Sequence, residues 1–80
     1  MDIKVLGTGC PKCKRLEALV HEAIAETGVN GDVSHVTDMN DIMTYDILST
    51  PGLVIDGEVV SSGRLPRRDE IAAWLKAAAG

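Results

Sequence analysis

Eighty residues with a formal net charge of −4, 45% hydrophobic and 25% charged, predict one globular domain spanning residues 1–80. The acidic balance, with a pI near 4.9, argues against nucleic acid as a partner, and Tyr45 and Trp74, the whole aromatic set, lie too far apart in sequence to suggest a base-stacking platform. No apolar run approaches the ~20 residues that cross a bilayer, so no membrane association is expected.

Met1-Asp2-Ile3-Lys4 lacks the basic and long apolar regions of a secretory signal, which makes the cytoplasm the expected location. Asp2-Ile3-Lys4-Val5-Leu6 reads as a first strand and Gly7-Thr8-Gly9 as the turn out of it. A helix follows from near Pro11, where a missing N–H costs nothing. Leu16, Leu19, Val20, Ala23 and Ile24 recur at helical spacing as its buried stripe, Lys14, Arg15, Glu17, His21, Glu22 and Glu26 take the wet side, and Gly28 suits the C-terminal cap. After an Asn30-Gly31 turn, Asp32 to Val36 alternates as a second strand should.

A short helix is expected over Asp38 to Tyr45, capped by Thr37 or Asp38, with Met39, Ile42 and Met43 facing inward as core filler. Leu53-Val54-Ile55 and Glu58-Val59-Val60 flank Asp56-Gly57, a strong short-range hairpin signal. The last helix starts near Pro66 or Arg67 and is expected to bury Ile71, Trp74, Leu75 and Ala78. The order β-α-β-α-β-β-α predicts an α/β fold, a mixed sheet covered by helices.

Cys10 and Cys13, in Cys10-Pro11-Lys12-Cys13, are the only cysteines. Closing so short a ring removes little unfolded-state entropy, so stapling is a poor reason for the pair. Two residues between thiols allow a small disulfide ring or two ligands on one metal. A strand, a glycine-bearing turn and a Cys-x-x-Cys opening a helix favour redox chemistry. The helix N-terminus, with Lys12 and Lys14 close by, would stabilise a thiolate at Cys10. Cys10 is then the attacking thiol, and Cys13, one turn inside, the resolving one.

Thr50-Pro51 directly precedes the third strand, where a proline is tolerated because its missing N–H lies at the strand end. The segments Gly9 to Cys13, Ser49 to Gly57 and Ser62-Gly63-Arg64-Leu65-Pro66 together resemble the small single-domain thioredoxin-like proteins of prokaryotes, sometimes called glutaredoxin-like or redox-active disulfide proteins. The resemblance covers nearly the whole chain and implies a minimal thioredoxin-like fold with a mixed four-stranded sheet. It implies a thiol–disulfide oxidoreductase that cycles Cys10 and Cys13 between dithiol and disulfide, with no cofactor. It also implies a cis Thr50-Pro51 bond and a substrate groove formed by Pro11, Lys12, Thr50, Pro51 and Gly63, with Arg64 brought toward the site. Expected partners are protein disulfides and a flavoprotein or thiol reductant, acting on a monomer. Thr8-Gly9 stands where larger relatives carry a Trp, and only part of the glutathione-holding pattern of glutaredoxins is present.

Two other classes compete. A copper- or zinc-binding module also places Cys-x-x-Cys between a strand and a helix, but copper chaperones usually carry a Met two residues before the first cysteine, where this chain has Thr8, and end in a strand rather than a helix. Zinc would need about four ligands, and His21 and His35 read as solvated or structural. A redox-sensing module without turnover would need the same reactive pair.

Overall fold

The computed structural model describes residues 1–9, 11–47 and 49–79. Its elements run β1 (Asp2–Leu6), α1 (Pro11–Thr27), β2 (Asp32–Val36), α2 (Met39–Met43), β3 (Gly52–Ile55), β4 (Glu58–Ser62) and α3 (Arg68–Ala79). The sheet order is β2-β1-β3-β4, with β2 parallel to β1 and the other neighbours antiparallel. This is the mixed four-stranded sheet of a minimal thioredoxin-like fold.

Residue alternation along the central strands divides the core in two. Ile3 and Val5 of β1, with Leu53 and Ile55 of β3, meet Leu16, Leu19, Val20 and Ala23 of α1 and Ile71, Ala72 and Leu75 of α3. Leu6 and Val54 point the other way, into a smaller cluster with Ile42 of α2, half-covered by Val36, Tyr45, Ile47 and Val59. Asp56 and Gly57 take φ values of 49° and 83° in the β3–β4 turn, as a tight hairpin that follows strand twist requires. The register then slips between Leu53 and Val54, leaving Val60 as an extra residue in β4.

Caps fix the ends of the helices. The Gly28 N–H donates to the Ile24 carbonyl at 2.9 Å, with φ of 72° at Gly28. The Asp38 side chain, not that of Thr37, accepts the Asn40 N–H at 2.8 Å. At α3 the Ile71 N–H reaches the Arg67 carbonyl, which makes Arg67 the N-cap, and Glu70 reaches back to accept the Arg67 N–H at 3.1 Å. That is one half of a capping box.

Some expected burials are corrected. Met39 and Met43 are 55% and 66% exposed, and of α2 only Ile42 is buried. The helix is scarcely longer than one turn. Beyond it, single-turn bonds at Thr44, Tyr45 and Asp46 and a φ of 57° at Asp46 fold Tyr45 and Ile47 back over the sheet. Those two side chains cover the surface the methionines were expected to fill. Ala78 is exposed and Trp74 half-buried, because the last turn of α3 lies beside the hairpin end of the sheet, in an open cleft with Ile55 and Glu58.

Candidate active site

The carboxyl end of β1, the first turn of α1 and the loops at Pro51 and Gly63 lie at one end of the sheet. Cys13, in the first turn of α1, is fully buried and disulfide-bonded. The chain's other cysteine, Cys10, lies outside the described residues, as does Leu48 of the segment leading to Pro51. Pro11 and Lys12 are exposed on the first turn.

Gly7 sits between the two halves of the site. A Cβ built there would overlap the Cys13 Sγ and lie 3.0 Å from the Cys13 Cβ. Its N–H is spent on the Val36 carbonyl at 3.0 Å. In the β1–β3 ladder Leu6 faces Gly52; one residue further, that register sets Gly7 opposite Pro51. Nothing in the Gly7-Thr8-Gly9 run distinguishes a glycine needed for a turn from one needed for contact, so the sequence shows Gly7 only as part of the turn.

The Thr50-Pro51 bond is cis, as the resemblance implied, and Pro51 is fully buried. The Pro51 carbonyl accepts the Gly63 N–H at 2.9 Å, which ties the loop after β4 to the start of β3. Gly63 has a φ of 76°, and a Cβ there would overlap the Ser49 Oγ. Thr50 is half-buried and Ser49 exposed. Arg64 is turned away to α3, where its two terminal nitrogens pair with both oxygens of Glu70 at 3.2 and 2.8 Å. Its charge is therefore committed to a carboxylate.

Charge along α1 runs against the helix dipole. Its first turn holds no acid and its last no base, while Lys12, Lys14 and Arg15 crowd the N-terminus and Glu22 and Glu26 lie toward the C-terminus. Each misplaced charge costs a helix about 0.3–1 kcal/mol. Arg68 of α3 offsets the acidic end, 3.4 Å from Glu22 and 3.2 Å from Glu26. The basic end has no ion pair among the described residues and is free to act on an anion at the helix start.

Lys4, whose side chain points to the α2 face, donates to the Tyr45 hydroxyl at 3.3 Å and lies 3.6 Å from Asp2. The Tyr45 hydrogen bond, then the Asp2 charge, hold its pKa above the usual 10.5. His35 places Nδ1 3.4 Å from Glu17 and His21 lies 3.9 Å from the same residue. Among the described residues no group of three or more Cys, His, Asp or Glu could hold a metal ion, and no helix is long and apolar enough to cross a membrane.

Residues 1–76 match the thioredoxin-domain family. Similar proteins include a thioredoxin of Methanocaldococcus jannaschii, 38% identical over 74 residues that cover 92% of this chain and 85% of the relative. A thioredoxin of Methanothermobacter thermautotrophicus is 35% identical over 75 residues, 94% of this chain and 97% of the relative. The chain belongs to the thioredoxin family and is a thiol–disulfide oxidoreductase.

Proposed function

We propose that the chain reduces protein disulfides by cycling Cys10 and Cys13 between dithiol and disulfide. The observation that carries this reading is the buried, disulfide-bonded Cys13 in the first turn of α1, packed on Gly7. The Cys10 thiolate attacks one sulfur of the substrate disulfide, forming a mixed disulfide and expelling the other sulfur as a thiolate. Cys13 loses its proton and attacks the Cys10 sulfur, releasing the second substrate thiolate and closing the Cys10–Cys13 disulfide. Two electrons pass to the substrate, and a flavoprotein or a dithiol reductant returns them.

Residues around the pair divide the remaining work. The α1 N-terminus and Lys12 hold Cys10 as a thiolate, whereas a free thiol with a pKa near ~8.5 stays mostly protonated at neutral pH. Pro11 stiffens the dipeptide. Thr50, Pro51 and Gly63 line the substrate groove, where the Thr50 backbone pairs with an extended substrate strand. The chain acts in the cytoplasm as a single-domain monomer.

An insulin-type reduction assay, run beside dialysis of the reduced protein against copper(I) or zinc, tests this reading. Catalytic disulfide reduction without added metal is expected. Retention of one metal ion per chain with no reduction of disulfides would instead identify a metal-binding module.

A further inference from the structure

Gly7 lies where the backbone itself does not require glycine. Gly9, Gly28, Gly57 and Gly63 take positive φ values, the region that favours glycine, and Gly7 does not. What Gly7 supplies is room. A Cβ there would overlap the Sγ of the buried, disulfide-bonded Cys13. At Gly31 a Cβ would meet the tip of the Ile3 side chain, and at Gly63 the Ser49 hydroxyl. Those groups can turn aside by a change of rotamer. A sulfur bonded to a second sulfur has no such freedom.

Neither backbone can retreat from the contact. The Gly7 N–H is bonded to the Val36 carbonyl at 3.0 Å, and the preceding residue, Leu6, is fully buried and paired with Val36 of β2 and Gly52 of β3. On the other side, Leu16, Leu19 and Val20 hold α1 in the main core. In the dithiol, the Cys13 thiol would relieve part of an added methyl's overlap by turning about its Cα–Cβ bond. In the disulfide, the second sulfur fixes it and the overlap stays.

We infer that Gly7 is a positioning residue that sets the redox poise of Cys13. By leaving the Sγ unobstructed it favours the disulfide, and so makes the dithiol a stronger electron donor. This inference rests on the reading of Cys10 and Cys13 as the cycling pair. Oxidation of the pair joins the two sulfurs and gives up two electrons and two protons. An acceptor disulfide takes them as its own S–S bond breaks into two thiols. A side chain at position 7 would oppose the bond forming on Cys13, and a strained disulfide has a higher, more oxidising potential.

The test equilibrates the native protein, Gly7→Ala and Gly28→Ala with mixtures of reduced and oxidised dithiothreitol, and counts free thiols by alkylation and mass. Gly28→Ala is the control: it forces a side chain to a φ of 72° beyond the far end of α1, where a Cβ meets nothing within 4 Å. In Gly7→Ala the equilibrium constant for forming the disulfide should fall about tenfold, a rise of about 30 mV in potential. In Gly28→Ala it should stay native, because a general loss of stability leaves the potential unmoved. Urea unfolding gives the same ratio independently. Gly7→Ala should lower the folding equilibrium about tenfold more in the oxidised protein than in a Cys10→Ser background, where no ring can form. A Gly7→Ala protein that folds as the dithiol and unfolds on oxidation would support the inference. An unchanged potential, an equal shift in the control, or a Gly7→Ala protein folded in neither state would overturn it. A shifted potential in a chain whose native form reduces no insulin disulfides would sink the reductase reading and leave the role of Gly7 standing.

Discussion

A methyl group on Gly7 would enter the space taken by the Cys13 sulfur, so the buried half of the proposed active site depends on a residue that contributes no side chain. Packed interiors relieve such an overlap only by shifting backbone or side chain, at about 1–3 kcal/mol. Gly7→Ala is expected to destabilise the native protein by that amount in reducing buffer. In a Cys13→Ala background the same change should cost clearly less, because only the Cβ contact at 3.0 Å remains. Urea unfolding of the four proteins measures the difference, and an equal cost in both backgrounds would dissociate Gly7 from the sulfur. A second prediction concerns Lys12, exposed one residue before Cys13. Lys12→Glu should raise the pH at which Cys10 alkylates and slow association with an anionic partner. An unchanged thiol titration would show that Lys12 has no part in holding the thiolate.

At the scale of elements, the start of α3 gathers a pH-sensitive cluster. Hydrogen bonds from the Arg64 guanidinium and then from the Arg67 N–H hold the Glu70 carboxyl at about 2, below its usual 4.5. A carboxylate whose pKa is lowered on folding stabilises the fold above its unfolded value. That contribution is lost as pH falls from about 4.5 through about 2. Glu70→Gln should therefore flatten the acid limb of stability in this window, which thermal unfolding between pH 5 and 2 would read. An acid limb of unchanged slope would show that the cluster contributes nothing on folding.

Elements were legible in the sequence where pattern and punctuation agreed. β2 matches its expected span because alternation follows the Asn30-Gly31 turn, and the hairpin was readable from Asp56-Gly57 between β-branched runs. α2 was readable as a helix but not in its facing. Positions 39, 42 and 43 share a helical stripe, yet over five residues that stripe cannot say whether the helix or the chain beyond it covers the sheet. Tyr45 and Ile47 do so here. The cysteines and Pro51 stood out as motif residues, whereas the Gly7 contact and the exposure of Met39 and Met43 depend on tertiary packing. Arg64 was expected toward the site, and its pairing with Glu70 six residues on shows how a local carboxylate outcompetes a distant role.

For the whole molecule, a net charge of −4 is divided unevenly: Lys12, Lys14 and Arg15 collect beside the cysteines, and acids surround α2. The basic rim should speed encounter with a substrate or electron donor that presents an acidic surface. Exposed charges are screened over about 8–10 Å at 0.1–0.15 M ionic strength, so that association rate should fall as salt rises. A rate indifferent to salt would remove the rim from the account. The Cys13→Ser variant tests the central claim, chemistry by paired cysteines, most directly. Without a resolving thiol, reduced Cys13→Ser mixed with a disulfide-bearing protein should accumulate a mixed disulfide through Cys10, detectable by mass, while Cys10→Ser should form none. An adduct on Cys13 in the Cys10→Ser protein, or no adduct with either variant, would contradict it.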